Sequence, residues 1–423
     1  MKLRSCILLF ALLGLSLSAN GSAHFAIPES NDGLPGEGPI RRYEWFQGLW
    51  EKKRSAWSKE VQDKQGSIVF LGDSITQGWG YQFRGAFGEA KVANRGISGD
   101  TTRGMLIRLK EDVISLNPAG VVMLLGTNDL EEGASPEVIA GNLKLIIEKL
   151  KASNQQMPIV LCSVFPSSSS KKRPAKQIQK INQLYAEAVR GDSQVTLINT
   201  WKMFADENGD ARKGEFPDLL HPNEKGYEMW SKTLIPVLET LGLLHVSIDD
   251  FQPEPGFKLL FNGKDLTGWG YRDKKTLNLL EGFDGKNQSK EGRYVARHGR
   301  LIVTTPPEGR SLTQLWTNEE FEKDFTLKLE FRANADADSG IFIRRPQLQC
   351  RDYWVAGPYK DLKNYQPGEW NEIVIEARGG VARCTCNGEL LEAEFKIPKS
   401  GPIGLEGDRG QMEYRRIRLK IIR

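Results

Sequence analysis

Four short segments of the chain carry residue types that could perform acyl transfer. Gly72-Asp73-Ser74-Ile75-Thr76 directly follows the apolar run 67–71. That run reads as a buried strand, so Ser74 stands at the carboxyl edge of a sheet and opens the next helix. A helix start offers unpaired N–H groups and positive potential, and both suit a developing oxyanion. Alone, such a tripeptide is also an ordinary turn, and Asp73 is read as a supporting residue beside the serine. The second segment, 94–102, contains Gly96, Gly99 and Asp100. Its glycines permit tight turns and close backbone approach, and Asp100 or Thr101 suits a helix cap. The third, Gly126-Thr127-Asn128-Asp129, ends the apolar run 120–125. Asn128 there can aim an amide N–H at a substrate oxygen. The fourth is Asp218-Leu219-Leu220-His221-Pro222. His221 is one of only four histidines in the chain, and base duty near neutral pH falls most often to histidine. Pro222 disfavours helix at His221. Asp218, three residues earlier, can reach the imidazole Nδ1 and fix its tautomer.

These segments need a scaffold, and the apolar patterning supplies one. Strands are expected at 67–71, 120–125, 158–164 and 195–198, with helices at 43–57, 136–150, 176–189 and 224–241. Strands alternating with helices imply a parallel sheet covered on both faces, with ligands bound outside the strands' carboxyl ends. Residues 249–256 are polar and carry two prolines, and they read as a linker. Beyond them the period becomes two, at 325–331, 372–377 and 415–420, with turns at Asn262-Gly263, Pro367-Gly368 and Asn387-Gly388. No long helix is expected there. Short strands with such turns imply an antiparallel sandwich. A polar linker predicts that a chain ending near residue 248 folds and works by itself.

The chain opens with Lys2 and Arg4, an apolar run over 6–17, and the small residues Gly21-Ser22-Ala23. That is the order of a secretory signal peptide, too short to span a bilayer, which takes ~20 apolar residues. The protein is therefore expected to be exported to the periplasm, cell surface or medium, with no integral membrane segment after signal removal. The net charge of +4 over 423 residues argues against a nucleic-acid partner. Cys162, Cys350, Cys384 and Cys386 follow the leader. A bridge from Cys350 to Cys384 or to Cys386 stays open, and Cys384-x-Cys386 without a second pair or a histidine reads as buried strand thiols rather than a metal site. Lys171-Lys172-Arg173 reads as a solvated loop. Trp79 either walls the pocket or fills the core, and Trp269 faces either its own core or a sugar.

Taken together, the four segments resemble the SGNH (GDSL-like) hydrolases over 43–248, and within them the platelet-activating-factor acetylhydrolase and lysophospholipase branch. The resemblance implies a flavodoxin-like three-layer fold. It implies Ser74 as nucleophile, His221 as general base and acid, and Asp218 as its orienting partner. It also implies an oxyanion hole from the Ser74 N–H, the Gly99 N–H and the Asn128 side chain, with Gly96 as a turn residue and Asp100 in support. No metal or organic cofactor is implied. Residues 260–269, with Ser339-Gly340-Ile341-Phe342, Gly368-Glu369-Trp370-Asn371 and Gly401-Pro402-Ile403-Gly404, resemble the 3-keto-disaccharide hydrolase domains. Those have a concanavalin-A-like jelly-roll fold, here over 257–423. Where many such domains carry Glu-x-Gln, this chain has Gln347-Leu348-Gln349, so carbohydrate binding is implied rather than cleavage.

The resulting expectation is a leader at 1–23, an N-terminal segment at 24–42, and an esterase domain joined by the 249–256 linker to a β-domain. Its substrate is a small or polymeric short-acyl ester, expected on carbohydrate. Two alternatives stay open: a carbohydrate-binding or cell-surface protein, and a bifunctional enzyme whose β-domain also cleaves glycosides. Oligomeric state is not legible.

Overall fold

The computed structural model describes residues 25–247, 249–305, 313–351, 359 and 361–422. The leader expected at 1–23 lies outside the described residues. Among the described residues no helix is long and apolar enough to cross a membrane.

The first half is a five-stranded parallel sheet. Its strands are β1 (Ile68–Gly72), β2 (Val92–Gly96), β3 (Gly120–Leu124), β4 (Ile159–Cys162) and β5 (Val195–Ile198), in the order β2-β1-β3-β4-β5. That is the expected flavodoxin-like order. Side chains alternate between two cores, and β1, β3, β4 and β5 carry apolar side chains on both faces. Val69, Leu71, Val121 and Met123 pack beneath α3 (Thr102–Asp112), α5 (Pro136–Ser153) and α6 (Ala175–Ala188). Ile68, Phe70, Val122 and Leu124 pack beneath α8 (Glu224–Thr240). Trp79 belongs to this second core, stacked 4.4 Å from Trp230, so it fills space rather than walling a pocket. The long α1 (Glu44–Lys59) lies outside α3 and shares a small core with residues 25–42 through Ile27, Ile40, Phe46 and Trp50.

Three short helices, α2 (Ser74–Gly78), α4 (Thr127–Glu131) and α7 (Thr200–Phe204), follow directly after β1, β3 and β5. The strand order reverses between β1 and β3. The chain leaves these two strands toward opposite faces there, and a crevice opens at their carboxyl ends. Ser74 and Asn128 sit on its two sides.

The second half is an antiparallel sandwich of an eight-stranded and a six-stranded sheet. Phe325, Leu327, Leu329 and Phe331 of one sheet meet Leu315, Ile341, Ile343 and Leu405 of the other. The expected hairpin at Asn387-Gly388 joins Val381–Cys386 to Glu389–Lys396, with φ of 47° and 82°. Both values are left-handed, which is why Asn-Gly occupies that turn. Trp269 is fully buried in this core. All four described cysteines are buried and free, so neither bridge from Cys350 is formed.

The polar segment 249–256 does not behave as a loose linker. Glu254 accepts from Arg418 at 2.6 Å and pairs with Lys328 at 3.1 Å. Asp249 binds Arg416 at 3.0 Å, and the Phe251 ring lies beneath both arginines. The Arg418 bonds hold the Glu254 carboxyl at about 2. The halves are docked as well. Glu239 of α8 binds Arg300 (2.7 Å) and Arg332 (2.9 Å), which also share Glu413. Gln411 donates to the Pro236 carbonyl and the Thr240 hydroxyl, both at 3.0 Å. Asp336 accepts from Lys202 (2.8 Å) and Asn199 (2.9 Å), and Ala335 completes the core under α8. A chain cut at 248 would leave Glu239 without its arginines and Ala335's place empty. If these contacts couple the two halves, the first half is not autonomous and the whole protein should unfold in one transition. Glu239→Ala should lower the unfolding free energy by ~3 kcal/mol, because two largely buried guanidiniums lose a partner. Urea unfolding followed by tryptophan fluorescence and circular dichroism measures both; two separate transitions would contradict the docking.

Candidate active site

Ser74 is the first residue of α2 and is half-buried. Its turn is set by its neighbours. Asp73 caps α2, its Oδ1 accepting the Ile75 N–H at 2.9 Å. A side chain at Gly72 would meet the Leu124 carbonyl at 2.7 Å. One at Gly96 would meet the Asp73 carbonyl at 2.8 Å. Gly96 is thus the last residue of β2, present so that α2 can press against the strand. It is not the turn residue expected from sequence; that is Gly99, at φ +88°. Asn94 fastens the same corner, donating to the Thr76 and Gly80 carbonyls at 2.7 and 2.9 Å.

The Asp218–His221 loop closes onto Ser74. Asp218 Oδ1 accepts the N–H groups of Leu220 (3.0 Å) and His221 (2.7 Å), while its Oδ2 lies 2.7 Å from His221 Nδ1. His221 Nε2 lies 3.0 Å from Ser74 Oγ. A carboxylate only accepts, so Nδ1 carries the proton and Nε2 faces the serine hydroxyl with its lone pair. Burial works to raise Asp218, but the hydrogen bonds from His221 and Leu220 outweigh it and hold the carboxyl below its ordinary value. Leu219 has φ +64°, a strained conformation for a side chain other than glycine. Its carbonyl is held by the Ser167 hydroxyl at 2.8 Å. The strain is confined to the residue that folds Asp218 back toward His221, which is where backbone strain serves a site.

Opposite the histidine, Asn128 Nδ2 donates to the Asp100 carbonyl at 2.9 Å, leaving its second amide hydrogen free. Neither the Ser74 N–H nor the Gly99 N–H has a hydrogen-bond partner among the described residues. A side chain at Gly99 would meet Trp45 at 2.7 Å and Arg41 at 2.9 Å, so the N-terminal segment and the start of α1 roof this glycine. Beneath lies a layer of buried acids. Asp100 is bound by Arg108 at 2.7 Å, and Asp129 accepts the Thr102 N–H (3.0 Å) and hydroxyl (2.6 Å). Burial pushes Asp73 and Asp129 up to about 6, and raises Asp100 against the pull of Arg108. Thr101 rather than Asp100 caps α3, accepting the Gly104 N–H.

The structure therefore brings Ser74, His221, Asp218, Gly99 and Asn128 into one crevice, with Asp73, Gly96 and Asp100 directly behind. Sequence reading missed Arg108, Asp129 and Arg173. Arg173 is 2% exposed, not solvated, and it donates to Asn128 Oδ1 at 2.9 Å. Its basic neighbours hid it, because Lys171 and Lys172 read as surface. Asp129 lies among polar and acidic residues, Thr127, Asn128, Glu131 and Glu132, so its sequence neighbourhood did not mark it as buried. Among the described residues no cluster of three or more histidine, cysteine or acidic side chains could hold a metal.

On the outward face of the six-stranded sheet of the β-domain, Glu406 accepts from Gln314 (2.6 Å) and Gln347 (2.7 Å). Glu406 stands on Ile403–Arg409, two strands away from the strand of Gln347-Leu348-Gln349. Trp316 and Phe342 lie alongside, 5.1 Å apart.

Comparison with known proteins agrees with both halves. The GDSL-like lipase/acylhydrolase family matches residues 70–229, and the 3-keto-alpha-glucoside-1,2-lyase-like domain matches residues 256–420. The chain is 27% identical over 221 residues to human platelet-activating factor acetylhydrolase IB subunit alpha2, covering 52% of this chain and 91% of that protein. It is similar to a GDSL-like lipase from Bacteroides thetaiotaomicron at 29% identity and a TM-score of 0.39, over 45% of this chain and 95% of that one. It is also similar to an acetyl xylan esterase from Geobacillus stearothermophilus at 21% identity and a TM-score of 0.35, over 43% and 99%. The protein is an ester hydrolase whose residues 70–229 form a GDSL-like lipase/acylhydrolase domain related to platelet-activating factor acetylhydrolase, followed by a 3-keto-disaccharide hydrolase-like domain.

Proposed function

We propose that the protein hydrolyses short-chain, chiefly acetyl, esters through a Ser74–His221–Asp218 triad and a covalent acyl-enzyme. The observation that carries this reading is the unbroken line of contacts from Asp218 Oδ2 to His221 Nδ1 (2.7 Å) and from His221 Nε2 to Ser74 Oγ (3.0 Å). His221 takes the serine proton as Oγ attacks the ester carbonyl, then returns it to the departing alcohol. The free N–H groups of Ser74 and Gly99 and the second Asn128 amide hydrogen receive the oxyanion. Water, activated by the same histidine, releases the acid. Acetyl preference is supported by the acetylhydrolase relatives, and the sugar alcohol by the second domain. There, the amide-clamped Glu406 beside Trp316 and Phe342 supports a carbohydrate-binding role, with glycoside cleavage as the second reading. The signal-like opening of the chain supports export.

Ser74→Ala should abolish hydrolysis of p-nitrophenyl acetate without lowering Tm, and His221→Ala should cost a similar amount. Activity within tenfold of the parent in either would end the triad reading. Asp218→Asn should cost ~10⁴ in kcat, the size of effect a lost tautomer produces. As pH falls, kcat/KM should fall, because a protonated His221 cannot accept the Ser74 proton. Asp218 remains a carboxylate well into that range, since its own value is held low. Acetylated xylan and glucose pentaacetate, set against long-chain esters and lysophospholipid, measure acyl and alcohol preference. Preference for long chains would overturn the acetyl assignment.

A further inference from the structure

The amide of Asn128 has two faces of nearly equal size and opposite polarity. One donates hydrogens, and the other carries lone pairs. Only the first stabilises an oxyanion; the second would repel it. What sets the amide is therefore part of the machinery, and two contacts do so. The Asp100 carbonyl accepts from Nδ2 at 2.9 Å. On the other side, Arg173 Nη2 donates to Oδ1 at 2.9 Å. If the amide turned over, oxygen would face the Asp100 carbonyl and NH₂ would face a guanidinium. Both contacts would become like against like, so both act in the same sense.

We propose that Arg173 is a positioning residue for ester hydrolysis, holding the Asn128 amide so that its free N–H points at the oxyanion. Arg173 is built for the task. It is 2% exposed. Its Nε donates to the Thr127 carbonyl and hydroxyl, both at 3.1 Å, and its Nη1 to the Lys171 carbonyl at 2.6 Å. The guanidinium is thus fixed to the residue preceding Asn128. Its charge is balanced by Glu131, 2.9 Å away, whose same carboxylate oxygen Arg41 of the N-terminal segment also binds. A cation bonded to an amide oxygen also draws electron density from the amide nitrogen and strengthens its N–H as a donor. Arg173 thereby acts in the sense the transition state needs, without touching substrate. A lysine cannot replace it, because one ammonium cannot span Thr127 and Asn128 with fixed planar geometry.

The inference rests on Asn128 being an oxyanion donor, and a double-mutant cycle separates the two. Asn128→Ala should lower kcat for p-nitrophenyl acetate ~10²–10³-fold with little change in KM. If it does not, the oxyanion assignment fails, whatever Arg173 does. Given that loss, Arg173→Met in the parent should lower kcat roughly 10–100-fold at unchanged KM, a fraction of the full donor's effect. In the Asn128→Ala background the same change should cost less than threefold. Equal costs in both backgrounds, or no cost in the parent, would overturn the proposal, since a merely structural arginine is needed whether or not Asn128 is present. Arg173→Lys is carried through the same cycle in case Arg173→Met fails to fold. Added guanidinium should restore part of the kcat of Arg173→Ala but not of Arg173→Ala/Asn128→Ala; rescue of both alike would also overturn it.

Discussion

The crevice depends on one buried guanidinium. Arg108 has no exposed side-chain surface, and its bonds converge on the corner where the catalytic chemistry is proposed. Nε binds Asp100 at 2.7 Å, while Nη2 binds the Arg95 carbonyl at 2.8 Å and the Gly72 carbonyl at 3.2 Å. It thus ties together the ends of β1 and β2 and the Asp100 loop, the three pieces of backbone that set Ser74 and Gly99. Removing a carboxylate and a guanidinium from water is costly, and such pairs add little net stability compared with well-packed apolar groups. What this pair supplies is a fixed geometry. A hydrophobic residue at 108 could fill the volume but could not hold two strand-end carbonyls in place. Asp100 then passes that order on, because its own carbonyl holds Asn128.

The same economy governs the docking of the two halves. Eight residues of polar, proline-containing chain would ordinarily leave two domains free to move. Here the segment is pinned through Asp249, Phe251 and Glu254, and the carboxylates of Glu239 and Glu413 are shared by Arg300 and Arg332 across the interface. The second domain is therefore fixed relative to the crevice. Any substrate long enough to reach both domains meets them in one orientation, rather than being gathered by a module on a flexible tether.

Much of this was legible in the chain. Gly-Asp-Ser after an apolar run, Asn128 at the end of another and Asp-x-x-His-Pro located the crevice, because catalysis needs particular residue types at strand ends. The four strands read from apolar runs are those with apolar side chains on both faces. β2 escaped because it contains Asn94, Arg95 and Gly96, whose side chains or bare backbone serve the corner rather than an apolar face. Helix α3 escaped for a related reason. It carries Arg103, Arg108 and Asp112, all buried against polar partners, so its charges obscure its apolar stripe. Gly96 was misassigned because sequence does not distinguish a glycine needed for positive φ from one needed for lack of a side chain. Arg173 was hidden by two neighbouring lysines, of which Lys172 is exposed and Lys171 half-buried. Apart from Gly96, each error lay where a polar residue is buried against polar partners.

That pattern separates the floor of this site from its rim. The floor is buried: Arg108 binds Asp100, Asp129 binds Thr102, and the Asp100 carbonyl and Arg173 both hold Asn128, so a change there reaches the proposed oxyanion donors. The rim is different. On one side, the start of α1 places Trp45, 54% exposed and stacked with Tyr43, above Gly99. On the other stands the loop that carries Leu219 and Leu220. Both rim elements are more exposed than the floor, yet each is tied to it: Arg41 of the N-terminal segment binds Glu131, the partner of Arg173, and the Leu219 turn carries Asp218 and His221. The rim borders the space that acyl and alcohol groups must occupy. Buried charges thus hold the frame of the crevice, while the more exposed His221 loop and Trp45 border its mouth.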